Sequence, residues 1–305
     1  CRSRPSSRSA PLPNSSLKTS RLCSIGVHAI VLLSVAFKPT VKSLGLNRRF
    51  AAAPRSFGMR GSKSVDGDPR QRPEPNQMRV TDVPLQIVVP VRDEAENFGN
   101  FWGGIESCVK TAFRLVVVYA DERDTTLSVI PTDNRILLQR NEGKGVLGAL
   151  KTGLASPTAR AVVVTMVDGS DDPRQIDEMF KRFEATNASI VAASRYTEGG
   201  HQAGGPMIKG LLSKVAGKSL RMMTGLSTSD PTNNFKLYSQ EFLRRVQIES
   251  EAGFELALEL TVKAHILGLR IEELPTTWRD RTLGKSKFKL MKWLPHYFRW
   301  YLHAL

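Results

Sequence analysis

The chain has few cysteines, and its first part has no acidic residues. Only three cysteines occur among 305 residues, and two of them, Cys1 and Cys23, lie within the first 65 positions. Cys108 is therefore alone in the remainder, which excludes a disulfide framework within a folded domain. The C-terminal end also lacks a run of about 18 apolar residues, so the sequence predicts no membrane span there.

Residues 1–65 contain 12 Lys and Arg residues and no Asp or Glu. The net charge of +15 belongs mainly to this leader, because the other residues balance 32 basic against 29 acidic side chains. The overall charge suggests a nucleic-acid-binding protein, but the confinement of that charge to the leader disfavours this class.

The leader has the composition of a targeting sequence. Its apolar run, residues 25–37, is shorter than the about 20 residues that span a bilayer, but it fits the core of a secretory signal. A basic, Ala-rich piece follows at residues 48–55. We expect residues 1–65 to be a disordered or cleaved region that directs the protein to the endoplasmic reticulum or a plastid. A retained signal anchor is the open alternative, and residues 66–81 are predicted to be a linker.

From residue 85 the sequence alternates between two patterns. Mainly apolar runs at 85–89, 113–119, 135–138, 161–167 and 190–193 predict strands, and helical spacing at 94–110, 145–154 and 176–183 predicts helices between them. This order predicts one α/β domain over residues 82–290, with a mainly parallel central sheet and helices on both faces.

Acidic residues cluster where the fourth predicted strand ends. Asp168, Asp171 and Asp172 fall within five positions, just before Pro173. Ligands of open α/β sheets bind at this edge, and carboxylates suit a divalent cation. Asp171 or Asp172 is also expected to cap the helix that Pro173 opens.

Polar residues also follow the first two strands. Pro90 and Glu94 come after the first strand, and Asp121 and Asp124 after the second. These residues could contact a nucleobase or ribose, although acids at helix N-termini are explained equally well by the helix dipole. Lys144, between two glycines before a helix, could lie beside a diphosphate or form a plain solvated turn.

The downstream motifs make the pattern specific. They are Ser-Arg-Tyr-x-x-Gly-Gly at 194–200, Asp-Pro-Thr-Asn-Asn-Phe-Lys-Leu-Tyr at 230–238, Gly-Phe-Glu-Leu-Ala-Leu-Glu-Leu at 253–260, and Ile-Glu-Glu-Leu-Pro-Thr-Thr-Trp-Arg-Asp-Arg-Thr-Leu-Gly-Lys-Ser-Lys-Phe at 271–288. With the upstream motifs, this ordered set resembles family-2 glycosyltransferases of the GT-A fold. It is similar in particular to dolichyl- or polyprenyl-phosphate mannosyl- and glucosyltransferases.

The resemblance implies a role for each matching residue. Asp168, with Ser170, would hold a divalent metal, Mg²⁺ or Mn²⁺, that bridges the diphosphate. The donor would also be bound by Pro90, Glu94, Asp121, Asp124 and Lys144. Arg195, Lys209, Ser213, Arg281 and Lys287 would surround the phosphates of donor and acceptor.

The sequence departs from the family pattern at several of these positions. Met166 replaces the first acid of the usual Asp-x-Asp, which puts the metal affinity in doubt. Ala120 stands in the Asp-Asp-x-Ser motif after the second strand, which puts base recognition in doubt. Lys209 replaces an Arg and loses its bidentate geometry. Asn233 and Asn234 stand in a segment that is commonly Ser-Gly-Phe or Cys-Gly-Phe.

The implied activity is inverting transfer of a hexose from a GDP-mannose-type or UDP-glucose-type donor to a polyprenyl or dolichyl phosphate at a membrane surface. Such an acceptor is already anionic and needs no strong base. A hydroxyl acceptor would need a carboxylate base, for which Asp230 and Glu255 are the candidates. A soluble transferase acting on a small molecule or polysaccharide, and a catalytically impaired sugar-nucleotide-binding homologue, remain the alternatives.

The C-terminal segment, residues 291–305, is predicted to be an amphipathic helix. Together with the residues just before it, the segment mixes lysines with aromatic residues. This composition suits either an element at the surface of an anionic membrane or a helix packed on the core with a solvated lysine face. Both explanations remain open from the sequence.

Overall fold

A computed structural model of the chain describes residues 83–155, 157–280 and 290–305, with side chains of the last range from Trp293 onward. These residues belong to one compact unit, Asn76–Leu305. The predicted leader and linker, 1–65 and 66–81, lie outside the described residues. Arg281 and Lys287 lie outside them as well.

The described strands are short and mostly buried. They are β1 Leu85–Pro90, β2 Phe113–Tyr119, β3 Ile136–Arg140, β4 Ala161–Val164, β5 Ile190–Ser194, β6 His201–Ala203, β7 Lys236–Ser239, β8 Ile271–Pro275 and β9 Thr277–Arg279. Seven of them form one sheet in the order β3-β2-β1-β4-β7-β5-β8, and β6 pairs with β9 in a separate ribbon.

Six of these seven strands pair in parallel with at least one neighbour, as the sequence predicts. Strand β1 pairs in parallel with β2 and β4, and its Leu85 lies opposite both Phe113 and Ala161. Strand β7 is the exception, since it runs antiparallel between β4 and β5. The prediction of a mainly parallel α/β sheet is therefore confirmed, with one reversed strand inserted.

The helices are α1 Ala95–Cys108, α2 Gly145–Ala155, α3 Gln175–Thr186, α4 Met207–Thr224, α5 Gln240–Arg245, α6 Leu256–Ile266 and α7 Leu290–Ala304, with a 3₁₀ turn at Thr125–Val129. In the described residues, no helix is long and apolar enough to cross a membrane.

The helices cover both faces of the sheet and create two hydrophobic cores. On one face, Phe98 and Ile105 of α1 and Ile176 of α3 pack against alternate residues of β1. On the other face, Leu150 of α2 and Trp300 of α7 join a second cluster. Because both sheet faces are buried, the central strands consist mainly of apolar residues and do not alternate between apolar and polar positions.

Two predicted boundaries differ from the structure at the central site. Strand β4 ends at Val164, not at residue 167, because the chain turns away after Thr165 donates its N–H to Val88 O at 3.1 Å. Pro173 does not open α3, which begins at Gln175. A turn comes first, in which the Gln175 N–H donates to Asp172 O at 3.1 Å.

Helix α7 places two of the C-terminal aromatics in the core. Trp300 is 3% exposed and Tyr301 is 8% exposed, and both belong to the core cluster that includes α6. The Tyr301 hydroxyl also lies 2.9 Å from Ser219 Oγ of α4. These aromatics therefore pack on the domain, and they do not form the membrane-facing side of the helix.

The close approach of α2 to the sheet provides a test of the packing. A Cβ added at Gly153 would lie 2.3 Å from Val88 Cγ1 and 3.3 Å from Val118 Cγ2. We expect Gly153→Ala to destabilise the fold by about 1–3 kcal/mol through overpacking.

Gly99→Ala in α1 is the matched control. It meets no atom within 4 Å, so the higher helix propensity of Ala should stabilise the fold slightly. Urea unfolding of both variants measures the difference, and equal effects would contradict the packing described for α2.

Candidate functional site

The loops after β1 and β2 meet at the carboxyl edge of the sheet. The Asp93 N–H donates to Asp124 Oδ1 at 2.9 Å, and the Glu94 N–H donates to Thr126 Oγ1 at 2.9 Å. The structure thus brings Pro90, Glu94 and Asp124 to one edge, as expected for parallel neighbouring strands.

Asp124 holds this corner together. Its Oδ1 also accepts from the N–H of Thr126 at 2.9 Å and from its hydroxyl at 2.6 Å, so Asp124 caps the 3₁₀ turn. Its Oδ2 is buried with no hydrogen-bond partner in the described part of the chain. Asp121 is exposed and accepts from the Arg123 N–H at 2.9 Å. Both explanations of these acids, turn capping and nucleotide contact, therefore remain compatible with their placement.

The glycine-punctuated loop before α2 is fixed by Asn141. Its Oδ1 accepts from the Gly143 N–H at 2.8 Å, and its Nδ2 donates to Gly145 O at 3.1 Å. A Cβ at Gly143 would lie 2.7 Å from Gly148 Cα, so this glycine allows the loop to pack on its own helix. Gly145 has a φ of 62°, which favours glycine. Lys144 is exposed at the loop tip.

A cavity of about 370 Å³ opens beyond the carboxyl end of β4. The end of β5, helix α4, the loop before β7, strand β9 and helix α7 form its other walls. Its polar and charged lining consists of Asp168, Ser170, Asp171, Arg195, Gln202, Lys209, Ser213, Thr232, Asn233, Asn234 and Asp280. Its apolar and aromatic lining consists of Met166, Pro206, Gly210, Leu212, Ala216, Phe235, Phe254, Trp278, Leu294 and Tyr297.

Two carboxylates face this cavity together. Asp168 Oδ1 accepts from the Ser170 N–H at 3.2 Å, and Asp171 Oδ2 accepts from Thr165 Oγ1 at 3.1 Å and from the Met166 N–H at 3.2 Å. Burial and the neighbouring charge of Asp168 raise the pKa of Asp171 to about 7. A divalent cation would stabilise the charged form of Asp171 against both effects, so the donor set fits a metal.

The two acids of the Asp171-Asp172 pair have different environments. Asp172 accepts from the Arg174 backbone N–H at 3.0 Å and pairs with its guanidinium, in the turn that precedes α3. The expectation that Asp171 or Asp172 caps α3 was wrong, because the N-cap of α3 is Arg174 and no side chain caps the helix. Asp172 stabilises the preceding turn, while Asp171 lies in the cavity beside Asp168. Among the described residues no cluster of three His, Cys, Asp or Glu could hold a metal by itself. A bound diphosphate or water would have to complete the coordination.

A buried ion pair joins Arg195 to Asp230. Arg195 Nε donates to Asp230 Oδ2 at 2.7 Å, Nη2 to Oδ1 at 2.8 Å, and the Arg195 backbone N–H to Oδ2 at 3.0 Å. Asp230 is fully buried and the Arg195 side chain is 13% exposed. Burial alone would raise the pKa of Asp230, but the charge and hydrogen bonds of Arg195 outweigh it and lower that pKa.

The same guanidinium reaches two hydroxyls of the cavity wall. Arg195 Nη2 donates to Ser213 Oγ at 3.2 Å, and Ser213 Oγ lies 2.6 Å from Thr232 Oγ1. Lys209 lies one helical turn before Ser213 and lines the cavity. The structure therefore brings together four of the predicted residues, Arg195, Lys209, Ser213 and Asp230.

Lys236 was not predicted from the sequence. It is fully buried at the start of β7 and donates to the carbonyl oxygens of Asp230, Pro231 and Asn233, at 3.4 Å and 3.1 Å for the first two. Burial lowers the pKa of Lys236 to about 7, against the opposing effect of Asp230. The carbonyls it holds belong to the loop that carries the cavity residues Thr232 and Asn233.

Glu255 does not line the cavity. Its carboxylate accepts from the backbone N–H groups of Glu251 at 3.1 Å, Ala252 at 2.6 Å and Gly253 at 2.5 Å. This geometry makes Glu255 the anchor of the turn before α6. Asp280 and Trp278 do line the cavity. Both belong to the motif at 271–288, but the motif does not distinguish them as site residues. Their exposure to the cavity depends on the β6–β9 ribbon, which no local pattern revealed.

Comparison with known proteins identifies the family of the chain. The profile of glycosyl transferase family 2 matches residues 86–247, more than half of the chain. The chain belongs to this family. An undecaprenyl-phosphate mannosyltransferase of Micrococcus luteus is 28% identical over 66% of the chain and 85% of its own length. A polyprenol monophosphomannose synthase of Mycolicibacterium smegmatis is 27% identical over 75% of the chain and 94% of its own length.

A solved structure confirms the predicted GT-A fold. It is glucosyl-3-phosphoglycerate synthase from Mycobacterium tuberculosis in complex with Mn²⁺, uridine-diphosphate-glucose and phosphoglyceric acid. It superposes with a TM-score of 0.53 at 16% identity, covering 77% of this chain and 85% of its own. This glycosyltransferase thus has the architecture that its motifs predicted.

The ion pair predicts a large stability effect from removing one partner. Asp230→Asn should destabilise the fold by about 3–5 kcal/mol, because the buried guanidinium loses its compensating charge. Asp172→Asn is the control, since its Arg174 partner is 74% exposed; its loss should cost less than about 1 kcal/mol. The free energy of unfolding in urea measures both effects. Replacing both Arg195 and Asp230 with Leu should recover part of the loss, and a double variant less stable than Asp230→Asn would contradict this account.

Lys236 predicts a distinctive pH dependence of stability. Below pH 7 it is charged in the folded and unfolded states, so the penalty for burying its charge is fully present. Between about pH 7 and the ordinary lysine value of about 10.4, the folded protein has lost the proton while the unfolded chain keeps it. The unfolding free energy of the wild type minus that of Lys236→Met should therefore rise with pH across this range. A pH-independent difference would show that Lys236 stays charged in the fold.

Proposed function

We propose that this glycosyltransferase transfers a hexose, with mannose as the first candidate, from a nucleotide-sugar to a polyprenyl phosphate with inversion at the anomeric carbon. The observation that carries the proposal is the composition of the cavity. Acidic and cationic residues at the sheet edge face a wall of apolar and aromatic side chains from α4, α7 and the turn before α6. This combination fits an acceptor with a phosphate head and a hydrocarbon chain.

The relatives support the same choice of substrates. The two bacterial proteins named above are polyprenyl-phosphate mannose transferases, and the chain covers 85% and 94% of their lengths. Their names concern mannose, whereas the solved structure concerns UDP-glucose. We therefore place GDP-mannose first among the donors and UDP-glucose second.

The donor side of the site lies at the carboxyl ends of β1 to β4. Pro90, Glu94, Asp121, Asp124 and Lys144 are the residues that would bind the nucleoside and diphosphate. Asp168, Ser170 and Asp171 are the residues that would hold Mg²⁺ or Mn²⁺. When bound, the cation would neutralise charge on the diphosphate leaving group.

The acceptor side explains why no strong base is required. An oxygen of the acceptor phosphate attacks the anomeric carbon, a new C–O bond forms, and the nucleoside diphosphate leaves with the electrons of the broken bond. Arg195, Lys209 and Ser213 would orient the attacking phosphate and offset its charge. The carboxylates of Asp230 and Glu255 are both engaged by protein donors, so neither is placed to accept a proton from a hydroxyl.

The direct test is an activity assay on the full chain. Labelled GDP-mannose and UDP-glucose are each mixed with polyprenyl phosphate and Mg²⁺ or Mn²⁺, and the sugar-lipid is extracted into organic solvent. We expect a β-linked product from GDP-mannose. Asp168→Asn should lower kcat/KM about 100-fold or more, whereas Asp172→Asn, whose carboxylate pairs with Arg174, should stay near wild type.

Three results would overturn parts of this proposal. Absence of any sugar-lipid with every donor, from a protein that unfolds cooperatively, would favour the catalytically impaired alternative. Transfer to a soluble hydroxyl compound instead would favour the second acceptor class. Full activity of Asp168→Asn would remove the role assigned to that carboxylate.

A further inference from the structure

Helix α4 exposes apolar side chains on its outward face. Met207 is 89% exposed, Ile208 71%, Leu211 63% and Met222 81%. At about 100° per residue these four positions fall on one side of the helix. Amphipathic helices of soluble domains place such residues inward. Several large apolar side chains exposed on one side of a helix mark an interaction site.

The opposite side of α4 is packed tightly on the domain. Leu220 is 1% exposed, and a Cβ at Gly217 would lie 2.1 Å from Ser229 O, so the helix presses against the loop before β7. The α4 residues Ser213 and Ala216 line the cavity. The orientation of the helix is therefore fixed by its inner contacts, and its apolar outer face does not result from a loosely placed segment.

The charges of α4 identify the chemistry of what covers it. The helix sequence contains Lys209, Lys214, Lys218 and Arg221 and no acidic residue. Lys214, Lys218 and Arg221 are exposed, and Arg221 pairs with Glu273 at 3.1 Å. Lys214 falls at the edge of the apolar side of the helix, and Lys218 falls within it, between Leu211 and Met222 along the helix. An exposed helix face that combines apolar side chains with lysines and carries no acidic residue is complementary to the surface of an anionic bilayer.

We propose that α4 lies in the surface of an anionic membrane, with Met207, Ile208, Leu211 and Met222 among the acyl chains and Lys214 and Lys218 at the headgroups. The choice of a bilayer over another occupant rests on the proposed function, because a lipid-borne acceptor has to reach a cavity that α4 itself lines. A second copy of the chain is a poorer fit. A two-fold contact through this face would bury Lys214 and Lys218 of both copies, and α4 carries no acidic residue that could pair with them.

This placement differs from the one considered for the C-terminus. Trp300 and Tyr301 of α7 are buried in the core, so they are not available to a membrane. The membrane-facing role therefore moves from α7 to its neighbour α4. Leu294 and Tyr297 of α7 line the cavity instead, next to the entrance that the membrane would cover.

The decisive experiment reports the environment of α4 itself. The three cysteines are replaced with Ser, Leu211→Cys is labelled with the fluorophore NBD, and vesicles of phosphatidylcholine with about 30% phosphatidylglycerol are added. We expect a blue-shifted emission that brominated acyl chains quench.

Leu138→Cys on the edge strand β3 is the matched control, because Leu138 is 47% exposed. It should show neither effect. A Leu211 probe that stays in water while the protein floats with the vesicles would overturn the proposal, whichever other segment binds the membrane.

Substitutions test the energetics of the same contact. Ile208→Glu with Leu211→Glu should reduce partitioning onto the anionic vesicles at least about tenfold, and Lys214→Gln with Lys218→Gln should reduce it about fivefold per lysine at low salt. Leu137→Glu with Leu138→Glu is the control pair and should leave partitioning unchanged. If the Ile208/Leu211 variant binds vesicles normally but converts a dimer to a monomer, the face is a subunit interface and the proposal fails.

The activity readout separates this proposal from the proposed function. With a short, water-soluble prenyl phosphate as acceptor, the Ile208/Leu211 variant should keep near wild-type activity, whereas with long-chain acceptor in vesicles its activity should fall with its binding. A protein inactive on every prenyl phosphate would refute the proposed function, while the NBD result would still decide where α4 lies.

Discussion

The buried pair of Arg195 and Asp230 is the interaction on which the site depends. It joins the end of β5 to the loop before β7, and through Ser213 it reaches α4. Taking two charges out of water costs several kcal/mol for each ion, and only good geometry compensates for this. Here both carboxylate oxygens are engaged and a backbone N–H adds a third contact. The pair therefore fixes where the cationic side of the cavity stands relative to the strand-end acids.

The reversed strand β7 is the structural reason for this arrangement. Because β7 runs antiparallel between β4 and β5, its entry loop lies at the same sheet edge as the carboxyl ends of those strands. Lys236 at its first position binds the carbonyls of that loop. The single reversal thus delivers Asp230, Thr232 and Asn233 to the edge where parallel strands end, which an all-parallel sheet could not do.

Much of this fold follows from local patterns in the sequence. The apolar run 113–119 is the strand β2 without a residue of difference, because buried parallel strands have an unmistakable composition. The acids after β4 were expected at the sheet edge for the same reason. The different environments of Asp171, in the cavity, and Asp172, in the turn before α3, were not predictable. They depend on which carboxylate faces inward after the turn at Thr165 and Met166. Asp171 and Asp172 are adjacent in the sequence, and the spacing of residues does not reveal which of the two side chains faces the cavity.

Long-range packing explains the remaining differences. Glu255 and Asp230 are both acids within recognised motifs, yet one anchors a turn and the other balances a buried arginine. Lys236 occurs in the same string as Asp230, but only its burial reveals that it supports the loop.

The contrast between α4 and α7 is of the same kind. Both carry basic and apolar residues in amphipathic patterns, and composition alone left open whether the aromatic-rich α7 lies at the membrane or packs on the core. Aromatic side chains, however, also fill cores well, and Trp300 does so against α6. Helix α4 instead turns Gly217, Ser213 and Leu220 toward the domain, whereas Met207, Ile208, Leu211 and Met222 face outward. Exposure, not composition, therefore distinguishes the helix that packs from the helix that still requires a partner.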